Sequence, residues 1–163
     1  MTEKKERIAK IMAAAGLCSR REAEKRIEQG RVVVNGETLK TPACVVGSGD
    51  TVLVDGKPLG QKQARRLWCY HKPAGCITTN RDPQGRKTIF EQLPSTLPRV
   101  VTVGRLDFNS EGLLLLTTDG GLARELELPA RGWKRKYRVR VHGKITAEIV
   151  GRLNKGVKID GVA

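Results

Sequence analysis

The sequence has few aromatic residues and no long hydrophobic run. Only 4% of its 163 residues are aromatic and 39% are apolar. No apolar stretch approaches the roughly 20 residues of a membrane-spanning helix. The charged N-terminus also lacks the apolar block of a secretory signal. We therefore expect a cytoplasmic protein with no membrane partner, built from one ordinary domain or two small ones.

The four cysteines are not arranged to bind a metal. Cys18, Cys44, Cys69 and Cys76 form no CxxC pair and have no histidine at ligand spacing, as a zinc site would require. In a reducing compartment we expect free, mostly buried thiols. The sequence thus predicts neither a metal centre nor a disulfide framework.

Acidic residues are scarce relative to basic ones. Lys and Arg number 31 and Asp and Glu number 17, which gives a net charge of +14. The first 60 residues carry 11 − 8 = +3 of this charge and the remainder carries 20 − 9 = +11. Such an excess is typical of proteins that bind a polyanion. The segment between the two parts is rich in Gly, Pro and Lys, so we predict domains at 1–56 and 67–163 and a linker at 57–66.

The first part has the pattern of two helices followed by a small sheet. Apolar spacing predicts helices over 5–15 and 20–29, and strands follow at 32–34 and 51–54. Ser19 and Glu22 have the spacing of a capping box, which predicts that Ser19 caps the second helix. Asn35-Gly36 predicts a hairpin turn. The basic residues of the helices form either a phosphate-binding face or, because glutamates are interleaved, an ordinary solvated surface. These residues are Arg7, Lys10, Arg20, Arg21, Lys25 and Arg26.

The second part is predicted to be a mixed α+β domain with a mainly antiparallel sheet. Strands are expected at 67–70, 100–103, 113–118 and 137–141, and a short helix at 122–128. In the last strand the apolar residues alternate with arginines, so Tyr137 shares one face with two valines.

The segment GRLDFNSEGLLLLTTDG, residues 104–120, places Arg105 and Asp107 at the end of an apolar strand. Burial between apolar strands would disfavour an ionised Asp107, and a nearby cation would favour it, so this carboxylate could be a tuned nucleophile or base. The alternative is an aspartate that caps its own turn.

Several motifs resemble known families. Residues 7–37, RIAKIMAAAGLCSRREAEKRIEQGRVVVNGE, resemble the S4-type RNA-binding module. YHKPAGCITTNRDPQGRKTIFEQLP, VGRLDFNSEGLLLLTTDG and RKYRVRV resemble three successive motifs of the RsuA/RluB-type pseudouridine synthases. These enzymes also carry an S4-type module ahead of the catalytic domain, and the large-subunit ribosomal RNA branch is the most similar. The resemblance implies ribosomal RNA as the partner and no cofactor, and we expect a monomer.

Carried over by position, the resemblance makes Asp107 the catalytic carboxylate. It either adds to the ribose or abstracts a proton from it while the base is detached and rejoined through C5. Arg105 is implied to assist base flipping and Tyr137 to stack on the base, although Tyr137 could instead pack in the core. Lys72 matches the first motif, where a shaping role is expected. The remaining RNA-binding candidates are Lys72, Arg135 and Arg138.

Catalytic domains of this family continue well beyond the equivalent of Gly161, through residues that close the uracil pocket. We therefore expect the 163-residue chain to carry an incomplete catalytic domain with weak or absent turnover. The alternative function is a non-catalytic RNA-binding or ribosome-assembly factor, which would need only the cationic surfaces.

Overall fold

A computed structural model describes residues 5–158. The chain divides after Gly132 into two compact units. Among the described residues, the first unit contains two antiparallel sheet systems, each accompanied by helices, and the second contains one helix. The expected α+β class with mainly antiparallel pairing is confirmed.

The first of these systems is an N-terminal module of two short helices and six short strands. The helix predicted over 5–15 begins only at Ile8, because Glu6 and Arg7 pair with a strand at 45–46. The hairpin at Asn35-Gly36 is confirmed, with the positive φ angles of 50° and 87° that a two-residue turn needs. The elements are β1 (Glu6–Arg7), α1 (Ile8–Ala14), α2 (Arg20–Glu28), β2 (Val32–Val34), β3 (Glu37–Thr38), β4 (Val45–Val46), β5 (Val52–Val54) and β6 (Lys57–Pro58).

Apolar side chains from both helices and from the sheet form the core of this module. Ile8, Met12, Ile27 and Val32 are completely buried. The predicted cap of α2 is confirmed, since Ser19 Oγ accepts a hydrogen bond from the Glu22 main-chain N–H at 3.1 Å.

The other system is a three-stranded sheet. It consists of β7 (Leu67–Lys72), β8 (Val101–Val103) and β9 (Gly112–Thr117), with β9 in the centre and antiparallel to both neighbours. The next helix, α3 (Gly120–Glu127), packs against β8 and β9. It begins two residues before the predicted start because Asp119 caps the Gly121 N–H at 2.7 Å.

One face of this sheet is turned to a core. Trp68 and Tyr70 of β7 and Leu114 and Leu116 of β9 pack there, with Ile89 from the connecting segment. Period-two alternation places Lys72 on this same inward face, where it is completely buried.

The cysteines are free thiols, as expected. Cys18 and Cys76 are buried, Cys44 is half-buried and Cys69 is exposed. In the part of the chain that the structure describes, no cluster of three or more His, Cys, Asp or Glu side chains could hold a metal ion. Across residues 5–158, no helix has the length and apolar character needed to span a bilayer.

The second unit differs from the expectation. The prediction of a strand at 137–141 is wrong. These residues form no hydrogen-bonded pairing with any of the described strands, and a β-strand is stabilised by such pairing. Tyr137 and Val139 are 68% and 72% exposed. The element that the structure describes in this part of the chain is α4 (Ala147–Asn154), which the sequence pattern did not predict. Thr146 caps it by accepting from the Ile149 N–H.

Candidate functional site

Asp107 lies in a turn on the loop between β8 and β9. Its main-chain carbonyl accepts a hydrogen bond from the Ser110 N–H at 3.1 Å, and its side chain is exposed. The expectation of a carboxylate buried between strands is wrong, because the chain leaves the sheet through Gly104, whose φ is +72°. Within residues 5–158, no hydrogen-bond donor is placed on the Asp107 carboxylate. The group is therefore open to a ligand arriving from solvent.

Lys72 holds this turn from inside the domain. Its Nζ donates to the carbonyl oxygens of Ser110 at 2.7 Å, Asp107 at 2.9 Å and Pro73 at 3.1 Å. An ammonium group has three N–H donors, and all three are used here. A buried charge without such partners would be very costly. Lys72 is therefore a structural residue that shapes the Asp107 turn, and its assignment as an RNA contact is wrong because it is completely buried.

Other contacts fix the residues on either side of Asp107. The Thr78 hydroxyl donates to the Leu106 carbonyl at 2.8 Å and accepts from the Leu106 N–H at 3.3 Å. The Phe108 carbonyl accepts from the Gly75 N–H at 2.8 Å. With Lys72, these bonds attach three consecutive residues, 106–108, to the end of β7 and to the segment that follows it. The main chain is thus fixed while the carboxylate is left exposed.

Arg105 shares the loop with Asp107, two residues before it, and is exposed. Tyr137 belongs to the second unit. Neither Tyr137 nor the exposed Arg138 occupies the predicted strand, and Arg135 is exposed beside them. The structure thus brings Arg105 and Asp107 together in one loop, and the roles of Arg105 and Tyr137 stay predictions.

The segment 79–87, which follows Thr78, is closed at its base and braced by an ion pair. The Ile77 N–H donates to the Lys87 carbonyl at 3.0 Å. Asp82 accepts from Arg86 through the main-chain N–H at 2.8 Å, Nη2 at 2.9 Å and Nε at 3.0 Å. These side-chain hydrogen bonds from Arg86 lower the pKa of Asp82 to about 2.

In the N-terminal module, several of the predicted phosphate-binding residues surround one groove. Arg7, Lys10 and Arg20 line an open cavity of about 380 Å³ together with Lys5 and two glutamates. Glu6 is paired with Lys10. Three of the six candidate cations are thus neighbours, as a phosphate-binding face requires.

The other three candidates lie on α2. Arg21 and Lys25 are exposed. Arg26 is only 20% exposed and pairs with Glu22 at 2.8 Å and Asp55 at 3.7 Å, so the fold already uses its guanidinium.

Sequence reasoning missed the residues that position the Asp107 turn. The Thr78 hydroxyl donates to the Leu106 main-chain carbonyl, and the Ser110 main-chain carbonyl accepts from Lys72. Contacts to main-chain groups leave no pattern in the sequence of side chains. Lys72 did leave a signal. It continues the inward alternation of Trp68 and Tyr70 along β7, and this alternation places it inside the domain.

Two family models match the chain. One, described as RNA pseudouridylate synthase, matches residues 66–160. The other, described as the S4 domain, matches residues 6–52.

Curated relatives cover almost the whole chain. A protein of Rickettsia felis described as an uncharacterized RNA pseudouridine synthase is 51% identical over 158 residues, which are 96% of this chain and 68% of that protein. Proteins of Haemophilus influenzae and Vibrio cholerae, both described as ribosomal large subunit pseudouridine synthase B, are 44% and 43% identical over 97% of this chain. The chain spans 46% and 51% of the lengths of these two proteins.

The Lys72 contacts can be tested by removing the ammonium group. Lys72→Met keeps the apolar stem but removes the donor to the three carbonyl oxygens. The Asp107 carbonyl keeps the Ser110 N–H and the Pro73 carbonyl keeps the Cys76 thiol, so the main loss is at the Ser110 carbonyl, where an unsatisfied oxygen costs about 1–3 kcal/mol. We expect a clear loss of stability in urea unfolding. Lys87→Met is the matched control, because Lys87 is exposed and should change the unfolding midpoint little. Equal midpoints for the two variants would contradict the structural role of Lys72.

The ion pair between Asp82 and Arg86 predicts that the stability of the fold depends on pH. Because the pKa of Asp82 is lower in the folded chain than in the unfolded chain, its ionised form stabilises the fold near neutral pH. That contribution is lost as the pH falls from about 4 towards 2. Arg86→Ala should return the pKa of Asp82 towards its ordinary value of about 3.9, as measured by carboxyl-carbon NMR titration. Arg81→Ala, which removes an exposed neighbouring cation, should leave the titration almost unchanged.

Proposed function

The chain belongs to the RNA pseudouridylate synthase family, and we propose that it isomerises a specific uridine of large-subunit ribosomal RNA to pseudouridine with Asp107 as the catalytic carboxylate. The observation that supports this role is the exposed Asp107 carboxylate on a turn whose main chain is fixed from β7 and Thr78. Because the main chain of the turn is already fixed, only the side chain of Asp107 has to lose freedom when substrate binds.

The reaction exchanges one bond of the nucleotide for another. The bond between N1 of uracil and C1′ of ribose breaks, the ring turns in place, and C5 joins C1′ while the C5 proton is lost and N1 gains one. Asp107 either adds to the sugar or removes a proton from it, which gives a glycal. Since the uracil is retained and rejoined, the isomerisation consumes no water, in contrast to glycoside hydrolysis.

The target base must first leave the RNA helix, at a cost of a few kcal/mol. In our proposal Arg105 fills the space that the base vacates. Tyr137 stacks on the extruded base, which contributes roughly 1–3 kcal/mol by analogy with other aromatic contacts to bases.

The N-terminal module delivers the RNA. Basic residues around the groove and on the exposed face of α2 bind phosphates and position the polymer. These residues are Arg7, Lys10 and Arg20 at the groove and Arg21 and Lys25 on α2. We assign this role to residues 1–56 and the chemistry to residues 67–163, joined by 57–66. The protein works as a monomer without a cofactor, in the cytoplasm where ribosomes are assembled.

Asp107→Asn separates catalysis from binding. The amide keeps the shape of the side chain but can act neither as a nucleophile nor as a base at neutral pH. In cells that carry this change in the protein's own gene, one pseudouridine should disappear from large-subunit ribosomal RNA, as measured by mass spectrometry. RNA binding by the variant should be almost unchanged. Retention of every pseudouridine would contradict the proposed function and would favour a protein that only binds RNA.

A second variant tests whether the N-terminal module binds RNA through the arginines of α2. Arg20→Ala combined with Arg21→Ala should weaken RNA binding and reduce the slope of log K against log salt concentration by about one for each phosphate that the variant no longer binds. Lys40→Ala with Lys57→Ala removes the same charge from exposed positions outside the two helices and should keep the slope. An unchanged slope in the arginine variant would assign these side chains to the solvated surface.

A further inference from the structure

Phe108 lies directly beside Asp107 at the corner of the turn. The Ser110 N–H donates to the Asp107 carbonyl at 3.1 Å, so Asp107 is the first residue of a four-residue turn and Phe108 is the second. The Phe108 carbonyl accepts from the Gly75 N–H at 2.8 Å, which fixes the main chain at this position as well. Consecutive Cα atoms are about 3.8 Å apart. A fixed main chain therefore carries the phenyl ring next to the exposed carboxylate.

The Phe108 ring is left outside the core of its own domain. Phe108 is 41% exposed and belongs to neither core cluster. The first unit has four aromatic residues, and the other three, Trp68, Tyr70 and Phe90, pack against the core of the three-stranded sheet. Leu106, two residues before Phe108, packs against that core too. The turn thus buries one of its apolar side chains and presents the other to solvent, although burial of a phenyl ring favours folding.

The surroundings of the ring indicate which kind of partner it fits. A single exposed apolar residue is ordinary on a protein surface, but this one is fixed beside the candidate catalytic carboxylate. Its neighbours Asp107 and Asn109 are exposed and polar, so the chain on either side adds no apolar surface. A protein interface needs a larger apolar core. A nucleobase needs only one face of one ring, and the net charge of +14 favours a polyanion.

We propose that Phe108 stacks on an unpaired base next to the target uridine in the RNA. The proposal rests on the proposed function, because it requires Asp107 to meet the ribose of the target. Once that contact is made, the neighbouring nucleotides of the same strand lie within reach of a ring on the adjacent residue. Phe108 binds the substrate in this way and takes no part in making or breaking bonds.

Stacking supplies something that phosphate contacts do not. Contacts to phosphates hold the polymer but carry no information on which nucleotide faces the carboxylate. A ring at a fixed place beside Asp107 holds one base of the strand, and that base determines which nucleotide lies at Asp107. Every base has a face that can stack. Phe108 therefore fixes the position of the strand without selecting its sequence.

The first measurement is NMR of the phenylalanine rings, which requires no catalysis. The chain has two phenylalanines, so ¹³C-labelled phenylalanine gives one set of ring signals for Phe108 and one for Phe90, which packs against the core and serves as the internal control. The probe is single-stranded oligouridylate. Inorganic polyphosphate is the second control, because it carries negative charge without bases. We expect oligouridylate to shift the Phe108 ring protons upfield, through the ring current of the stacked base, and to leave those of Phe90 in place.

Polyphosphate should shift amides of the N-terminal module and leave both phenylalanine rings unchanged. If the Phe108 ring protons keep their positions at oligouridylate concentrations that shift the module amides, the stack is overturned. Equal shifts of the Phe108 ring with polyphosphate and with oligouridylate would assign the change to charge, and would overturn it as well.

The second measurement uses variants that separate the ring from its apolar character. Phe108→Leu keeps an apolar side chain without the ring, and Phe108→Tyr keeps the ring. Leu113→Ala is the matched control, because Leu113 is an apolar residue of β9 that is 67% exposed and lies outside the turn. All three changes affect exposed side chains, so the midpoint of urea unfolding should stay almost unchanged.

The readout is the rate at which pseudouridine appears in newly made large-subunit ribosomal RNA of cells that carry each change in the gene. We expect Phe108→Leu to reduce this rate about tenfold, as the loss of one base–aromatic stack does, and Phe108→Tyr and Leu113→Ala to keep it. An equal loss in Phe108→Tyr would overturn the stack. So would a full rate with Phe108→Leu in cells where Asp107→Asn abolishes the modification, and the proposed function would then stand. Full modification with Asp107→Asn would instead overturn the proposed function.

Discussion

A buried ammonium group holds the candidate site together. Lys72 reaches from the end of β7 into the domain and donates to three main-chain carbonyls, two of them in the Asp107 turn. If a carboxylate replaced these carbonyls as the partner of Lys72, the two charges would form an ion pair inside the domain. Neutral carbonyls satisfy the ammonium and leave the only carboxylate of the turn, Asp107, directed to solvent. The exposure of Asp107 and the burial of Lys72 are therefore two results of one arrangement.

β9 connects the Asp107 turn to the rest of the three-stranded sheet. It pairs with β7 along its whole length and with β8 over its second half, and its apolar residues Leu114 and Leu116 are buried in the core. The Asp107 turn precedes its first residue, and Thr117 and the adjacent Thr118 bind residues 64–66. A central strand is the part of a sheet that moves least, since both edges are paired. The Asp107 turn and the contacts to residues 64–66 thus lie at opposite ends of this central strand.

The sequence predicts what depends on local signals. The capped helix at Ser19, the hairpin at Asn35-Gly36 and the strands around Leu114 follow from spacing and turn residues, and each is confirmed. Prediction fails where long-range contacts decide. The alternation at 137–141 is a strand pattern, but no described strand pairs with it.

Long-range contacts also decide the position of Lys72. Its charge favours the surface, but it lies on the inward face of β7, where the carbonyls of Pro73, Asp107 and Ser110 satisfy the ammonium group. The linker at 57–66 stays a prediction, and composition does not reveal the bonds that Thr117 and Thr118 make to residues 64–66.

Hydrogen exchange at the Asp107 turn tests the central claim most directly. The reporters are the Ser110 N–H, bonded to the Asp107 carbonyl, and the Gly75 N–H, bonded to the Phe108 carbonyl. If Lys72 fixes the turn, both amides exchange far more slowly than in an open chain, and Lys72→Met releases them while the amides of α2 keep their protection. Exchange of Ser110 and Gly75 at open-chain rates in the unmodified protein would contradict the account.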